Sequence, residues 1–149
     1  MVNSLAPIHD FLSRDRIAVV GVSSNTHEFS RSLFRALARQ GYDVIPVHPG
    51  IEELDGRPCF ARMEDIQPPA EAALLLTAPP VTDQVVEECA AAGITRIWIF
   101  RVSARAIDYC RSRGIEVIAG ECPYMFFEHA GLVHRCHGWI RKIAGSYPR

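Results

Sequence analysis

Five short apolar runs, each stopping at a glycine or a polar residue and separated by segments of different periodicity, constrain this chain more than any other feature. They are Ile17–Val22, Asp43–Val47, Ala72–Leu76, Arg96–Phe100 and Ile115–Ala119. Ile17-Ala18-Val19-Val20 shows no polar alternation, so it reads as a strand buried on both faces, the habit of parallel sheets. Between the runs the pattern turns helical. Leu33, Phe34, Leu37 and Ala38 make one apolar stripe, and Ala104, Ile107 and Cys110 make another. After the third run, Thr82 reads as a helix cap, with Val81, Val85, Val86, Cys89 and Ala90 facing inward. Gly41, Gly93 and Gly114 stand where those helices should end.

Strands that alternate with helices in this way predict a parallel sheet covered on both faces. The expected fold is α/β and Rossmann-like: three layers, α/β/α, around a five-stranded parallel sheet in the order 3-2-1-4-5. Ile8, Phe11 and Leu12 add a short lead-in helix. No linker or repeat divides the 149 residues, so 1–149 reads as one domain, with an apolar, histidine-containing tail from about 121 to 149. A net charge of -1 offers no footprint for nucleic acid, and no apolar run is long enough to span a membrane. The first sixteen residues lack the apolar centre of a secretory leader. Five scattered cysteines without a paired motif read as reduced thiols, and a cytoplasmic location is expected.

A ligand of such a sheet sits beyond the C-terminal ends of the strands, where the strand order reverses. Those ends supply Gly21-Val22-Ser23-Ser24-Asn25, Val47-His48-Pro49, Thr77-Ala78-Pro79-Pro80, Arg101 and Gly120-Glu121-Cys122-Pro123. Gly21 lets the backbone turn tightly or lets a ligand approach. Ser23, Ser24 and Asn25 bring hydroxyls, an amide and backbone N–H groups to a helix N-terminus, which suits a phosphate. The same residues also make an ordinary strand-to-helix turn. The first turn lacks G-x-G-x-x-G, and His48 rather than an acid follows the second strand, which argues against a dinucleotide redox enzyme. The Walker pattern is absent as well. Ser30 reads as the N-cap of the first long helix, which leaves Arg31 in its first turn. A cation there opposes the helix dipole unless an anion is bound, so Arg31 is expected to meet a phosphate.

With these residues in place the chain resembles the small stand-alone coenzyme A-binding domain proteins, which are similar to the coenzyme A-binding domain of the succinyl-CoA synthetase alpha subunit. The resemblance rests on Ile17–Ser23, Gly41–Pro49, Asp65-Ile66, Thr77-Ala78-Pro79-Pro80, Ile97-Trp98 and Glu121-Cys122-Pro123, and it covers roughly residues 15–123. It implies coenzyme A as the cofactor. Gly21, Val22, Ser23, Ser24 and Asn25 would then approach the diphosphate. Val47, His48 and Pro49 would flank the adenosine, and Thr77, Pro79, Pro80 and Val81 would line the next wall. Many relatives carry Ser-x-Arg at the helix start, whereas this chain reads Ser30-Arg31-Ser32. One residue turns a helical side chain by roughly 100°.

Cys122, beside the expected cleft, reads as a quiet cysteine or as a nucleophile for which no base can be assigned. His129, His134, His137 and Cys136 match no firm metal-ligand spacing, so no metal is expected. Phe126, Phe127, Leu132, Val133, Trp139 and Ile140 make the tail apolar enough to pack on the body or to join two copies in a homodimer. The expected activity is binding of coenzyme A or an acyl-CoA in a regulatory, non-catalytic role. The alternative is a coenzyme A- or nucleotide-dependent enzyme, an acyl transferase or ligase component, using Cys122 or His48. The partner is a small molecule, not nucleic acid or membrane.

Overall fold

The computed structural model describes residues 5–127. The five apolar runs are strands β1 (Arg16–Val20), β2 (Asp43–Val47), β5 (Ala72–Leu75), β6 (Arg96–Ile99) and β7 (Glu116–Ala119). Two further strands, β3 (Glu53–Leu54) and β4 (Arg57–Pro58), form a separate small hairpin. The helices are α1 (Leu5–Leu12), α2 (Phe29–Arg39), α3 (Pro79–Ala91), α4 (Ala104–Ser112) and the short α5 (Tyr124–Phe127). The five long strands are parallel to one another in a single sheet.

Strand residues alternate between two cores, as a period of two requires. Ile17, Val19, Val44, Ala72, Leu74, Trp98 and Ile118 face one layer, where Ile8 and Phe11 of α1 and Leu33, Phe34 and Leu37 of α2 cover them. Ala18, Val20, Ile45, Ala73, Leu75, Ile97 and Ile99 face the other, under Val85, Val86 and Cys89 of α3 and Ala106, Ile107 and Cys110 of α4. These two covered faces make the three-layer α/β/α fold. Trp98 is fully buried between Phe11 and Phe126, with ring centroids 5.3 and 5.7 Å away. Its indole N–H donates to the Glu121 carbonyl at 3.1 Å, which anchors the exit from β7. The tail residues His129, His134, Cys136 and His137, and the dimer surface expected of that tail, lie outside the described residues.

The strand order corrects the expected one. It is β2-β1-β5-β6-β7, so the third apolar run lies beside β1 instead of beyond β2; in run numbers the order is 2-1-3-4-5. The place beyond β2 is taken by one residue. Phe60 makes an isolated parallel bridge to Val47, donating its N–H to Pro46 O at 3.0 Å and accepting from His48 N–H at 2.9 Å. A single-residue bridge leaves no apolar run to read. Ala72–Leu75, in contrast, is buried at every position, which a central place provides and an edge does not. The order therefore reverses between β1 and β5.

Gly21 occupies that reversal and has no room for a side chain. Its φ is +90°, and a Cβ would stand 2.9 Å from Thr77 Cγ2 and 3.2 Å from Thr77 N. Gly93 shares the positive φ, at +80°, but nothing lies within 4 Å of its Cβ position. Strain alone costs about 1–2 kcal/mol at such a position, so Gly93→Ala should lose about that much in urea unfolding. Gly21→Ala adds the clash with β5's exit and should lose about 2–4 kcal/mol. Equal losses for the two variants would mean that the Thr77 backbone yields freely.

Candidate functional site

The exits of β1, β2 and β5 meet at the reversal point. Gly21 N–H donates to Val47 O at 3.3 Å, and Leu76 N–H donates to Val20 O at 2.9 Å. From Gly21 the chain runs through a loop that satisfies much of its own backbone. Ser23 N–H donates to Ser30 Oγ, Asn25 N–H to Ser23 Oγ and His27 N–H to Asn25 Oδ1, each at 3.0 Å. The Asn25 turn launches α2 early. The N-cap is Glu28, in an extended conformation and with no side-chain cap bond.

Ser30 is therefore not the N-cap; it is the second residue of α2, and its hydroxyl is spent on holding the Ser23 amide. The cause is the Asn25 turn, which brings Glu28 to the cap position. Ser24 and Ser32 are exposed, and Val22 is buried in the core beneath α2.

Arg31 also departs from expectation. It is only 8% exposed and meets a carboxylate of the chain itself. Its Nε and Nη2 donate to Asp55 Oδ2 and Oδ1 at 3.1 and 2.8 Å. Its Nη1 donates to the carbonyls of Ser23 and Ser24, both at 3.1 Å. Arg35, one turn along α2, grips the same carboxylate with Nε at 2.9 Å and Nη2 at 3.1 Å. Asp55 and Gly56, with φ of 51° and 77°, form the two-residue turn between β3 and β4. Positive φ at both positions is the hallmark of the tight hairpin turn for which Asp-Gly is the favoured sequence. The hairpin thus carries the anion that the first turn of α2 needs, and Asp55 is the residue that sequence reasoning missed. The sequence marks Asp55-Gly56-Arg57-Pro58 as a polar turn, but strands only two residues long hide the hairpin and with it the tie to α2.

On the β2 side, Val47 is buried, His48 half-buried and Pro49 exposed. His48 Nδ1 accepts from Gly50 N–H at 3.0 Å, so in the neutral ring Nε2 carries the proton. On the β5 side, α3 begins at Pro79, whose fixed φ suits a first helical position, and the N-cap is Ala78 without a side-chain cap bond. Thr82 is consequently inside the helix and does not cap it. Its buried hydroxyl pairs with Thr77 Oγ1 at 2.7 Å and lies 3.1 Å from both Thr77 O and Ala78 O, which share its single proton. Starting α3 at Pro79 also turns Val81 out to solvent instead of into the core, beside the exposed Pro80.

Cys122 is half-buried just after β7. It and His48 stand at opposite edges of the sheet, four strand steps of about 4.8 Å apart, roughly 19 Å. The other described thiols are poor nucleophiles, since burial pushes Cys59 and Cys89 up and Cys110 up to about 11. Among the described residues no group of three His, Cys, Asp or Glu could hold a metal ion, and no helix is long and apolar enough to cross a membrane.

Comparison with known proteins meets this geometry. The sequence model of a family described as "CoA binding domain" matches residues 15–128. The uncharacterized protein YneT of Bacillus subtilis (strain 168) is 29% identical over 122 residues, covering 80% of this chain and 90% of that protein. A hypothetical protein from Pyrococcus horikoshii OT3 superposes with a TM-score of 0.74 at 27% identity, covering 78% of this chain and 84% of its own. A hypothetical protein from Pyrococcus furiosus superposes at 0.70 with 25% identity, covering 74% and 97%.

Hydrogen bonds from Arg31 and then Arg35 hold the Asp55 carboxyl well below the usual carboxylate range. A depressed carboxyl stabilises the fold fully above its unfolded value of about 3.9, and that contribution fades as pH falls toward the folded value. Asp55→Asn should cost about 1–2 kcal/mol at pH 7, since Arg31 is left buried without its anion while Asp55 is partly screened by solvent. Unfolding curves of the two proteins should converge as pH drops from 5 toward 2. A gap that stays constant over that range would show that the ion pairs do not carry the difference.

Proposed function

Because the chain belongs to the CoA-binding domain family, we propose that it binds coenzyme A or an acyl-CoA across the exits of β1, β2 and β5, in a binding or regulatory role without catalysis. The observation that carries this reading is the contact of Gly21 with Thr77, which brings the β1 exit that leads to α2 against the β5 exit that leads to α3. The first turn of α2 has no side-chain cap bond, so its N–H groups ahead of Ser32 remain for an anion, whereas α3 opens on Pro79 and Pro80, which have no N–H, and its Val81 and Thr82 N–H groups donate to Ala78 O. Such groups, with the helix dipoles behind them, favour a diphosphate. Ser23, Ser24 and Asn25 border it from the β1 side, and Thr77, Pro79 and Pro80 from the β5 side. His48, with a proton on Nε2, offers a donor on the β2 side, where Val47 and Pro49 flank the adenosine.

Arg31 serves this site indirectly. By binding the carbonyls of Ser23 and Ser24 it turns the carbonyl oxygens of that loop toward itself, away from an incoming phosphate. The non-catalytic part of the reading rests on Cys122 having no assigned base and on the thiols raised by burial elsewhere among the described residues.

Calorimetry with coenzyme A, acetyl-CoA, ADP and NAD tests the proposal. Coenzyme A should bind more tightly than ADP, and at a hundred times its Kd it should stabilise the protein by about 2.7 kcal/mol. Ser23→Tyr should abolish binding while leaving circular dichroism unchanged. NAD binding in the absence of coenzyme A binding would overturn the reading, and steady hydrolysis or transfer of the acetyl group would overturn its non-catalytic part.

A further inference from the structure

The large apolar side chains that the described residues expose are Phe29, Val81, Val102 and Met125, at 43, 47, 56 and 50% of their surface. Single exposed apolar residues scattered over a surface are ordinary. These four are not scattered. Phe29 opens α2 after β1, Val81 lies in the first turn of α3 after β5, Val102 follows β6, and Met125 follows β7. All stand at the C-terminal end of the sheet, on the exits of four strands that are neighbours in it. An apolar collection at one end of a molecule, continuous with a polar cleft, signals a binding surface.

Part of it is a built platform. Phe29 stacks on Phe100 with centroids 5.1 Å apart and planes at 25°, and it meets the edge of Tyr124 at 5.5 Å and 61°. Phe29 thus reaches from the β1 exit past β5 to the exits of β6 and β7. The loop that carries Phe100 and Val102 is fixed in turn. Buried Ser103 accepts from Ala106 N–H as the cap of α4 and donates to Asp83 of α3. Gly120 passes below, its Cβ position 3.4 Å from Val102 Cγ2.

We infer that this platform receives the acyl chain of the ligand, and that the protein prefers aliphatic acyl-CoA thioesters of medium or greater length to free coenzyme A. The inference rests on the coenzyme A reading above and deepens it. With the adenosine toward β2 and the diphosphate over β1 and β5, the pantetheine arm has only the β6 and β7 side to run to. The surface that it meets there is Phe29, Phe100, Tyr124 and Val102, which offers an alkyl chain dispersion contact and release of water. Arg101 stands between Phe100 and Val102 and is the feature that would suit an acyl group ending in a carboxylate instead.

Affinities for coenzyme A, butyryl-CoA, octanoyl-CoA and succinyl-CoA, measured below micelle-forming concentrations, decide the matter. Full burial of one methylene is worth about fourfold in affinity. A one-sided platform that covers a few of them should give octanoyl-CoA an advantage over coenzyme A of at least about tenfold, with butyryl-CoA between. Phe29→Ser should shrink the ratio of the two affinities to within about twofold. Val102→Ser, a second exposed site that does not depend on the aromatic stack, should reduce it by about threefold. A flat series in the native protein, tighter binding of succinyl-CoA than octanoyl-CoA, or a ratio untouched by both substitutions would each overturn the inference. Coenzyme A that binds with a flat series leaves the parent reading standing; failure of every ligand to bind removes both.

Discussion

The backbone of β5's exit presses against a glycine at β1's exit, and the rest of this end of the molecule is arranged around that contact. Two parallel strands side by side must send their connections to opposite faces at a reversal of strand order. Here α2 leaves for one face and α3 for the other, and their first turns begin from loops that touch at Gly21 and Thr77. A side chain in place of the glycine hydrogen would push the two helix N-termini apart. Steric economy at one residue therefore sets how closely the β1 and β5 exits approach.

The second determinant is electrostatic. Two guanidinium groups enclose one carboxylate, which leaves the cluster of Arg31, Asp55 and Arg35 with a net positive charge beside the helix start. A lone cation in that first turn would oppose the dipole. The carboxylate that reverses the penalty comes from a hairpin 24 residues along the chain. The anion inferred from Arg31 was thus real in kind and wrong in source: the chain provides it.

Much of the fold was legible because it repeats. Runs such as Ile17–Val20 and Ala72–Leu75 have the same two-sided burial, and a pattern that recurs can be read. What could not be read was carried by single residues. Phe60 fills the place beyond β2 through two backbone hydrogen bonds, and backbone pairing leaves no trace in side-chain pattern. Ser30 and Thr82 were each assigned the usual role of a hydroxyl at a helix start. The actual starts were set upstream, by the Asn25 turn and by Pro79, and the hydroxyls found other partners. The same shift exposed Val81. The loops at the strand exits follow the apolar runs along the chain, but the ties that hold them, through Asp55 above all, cross distances that spacing does not encode.

The long connection between β2 and β5, residues 48–71, has little regular structure, yet it is tied down along its length: Phe60 and Arg57 bond to β2, Pro68 O accepts from Arg16, Leu54, Met63 and Ile66 are buried, and Asp55 pairs with α2. The tie from Asp55 to α2 is ionic, so this one fastening of the strap is sensitive to salt and acid. A protease acts only on chain that can leave the surface. The neutral protein should therefore resist cleavage between Gly50 and Arg57 for a reason that has nothing to do with local helicity. In strong acid, protonating Asp55 should release the hairpin first, while Phe60 still holds the chain to β2.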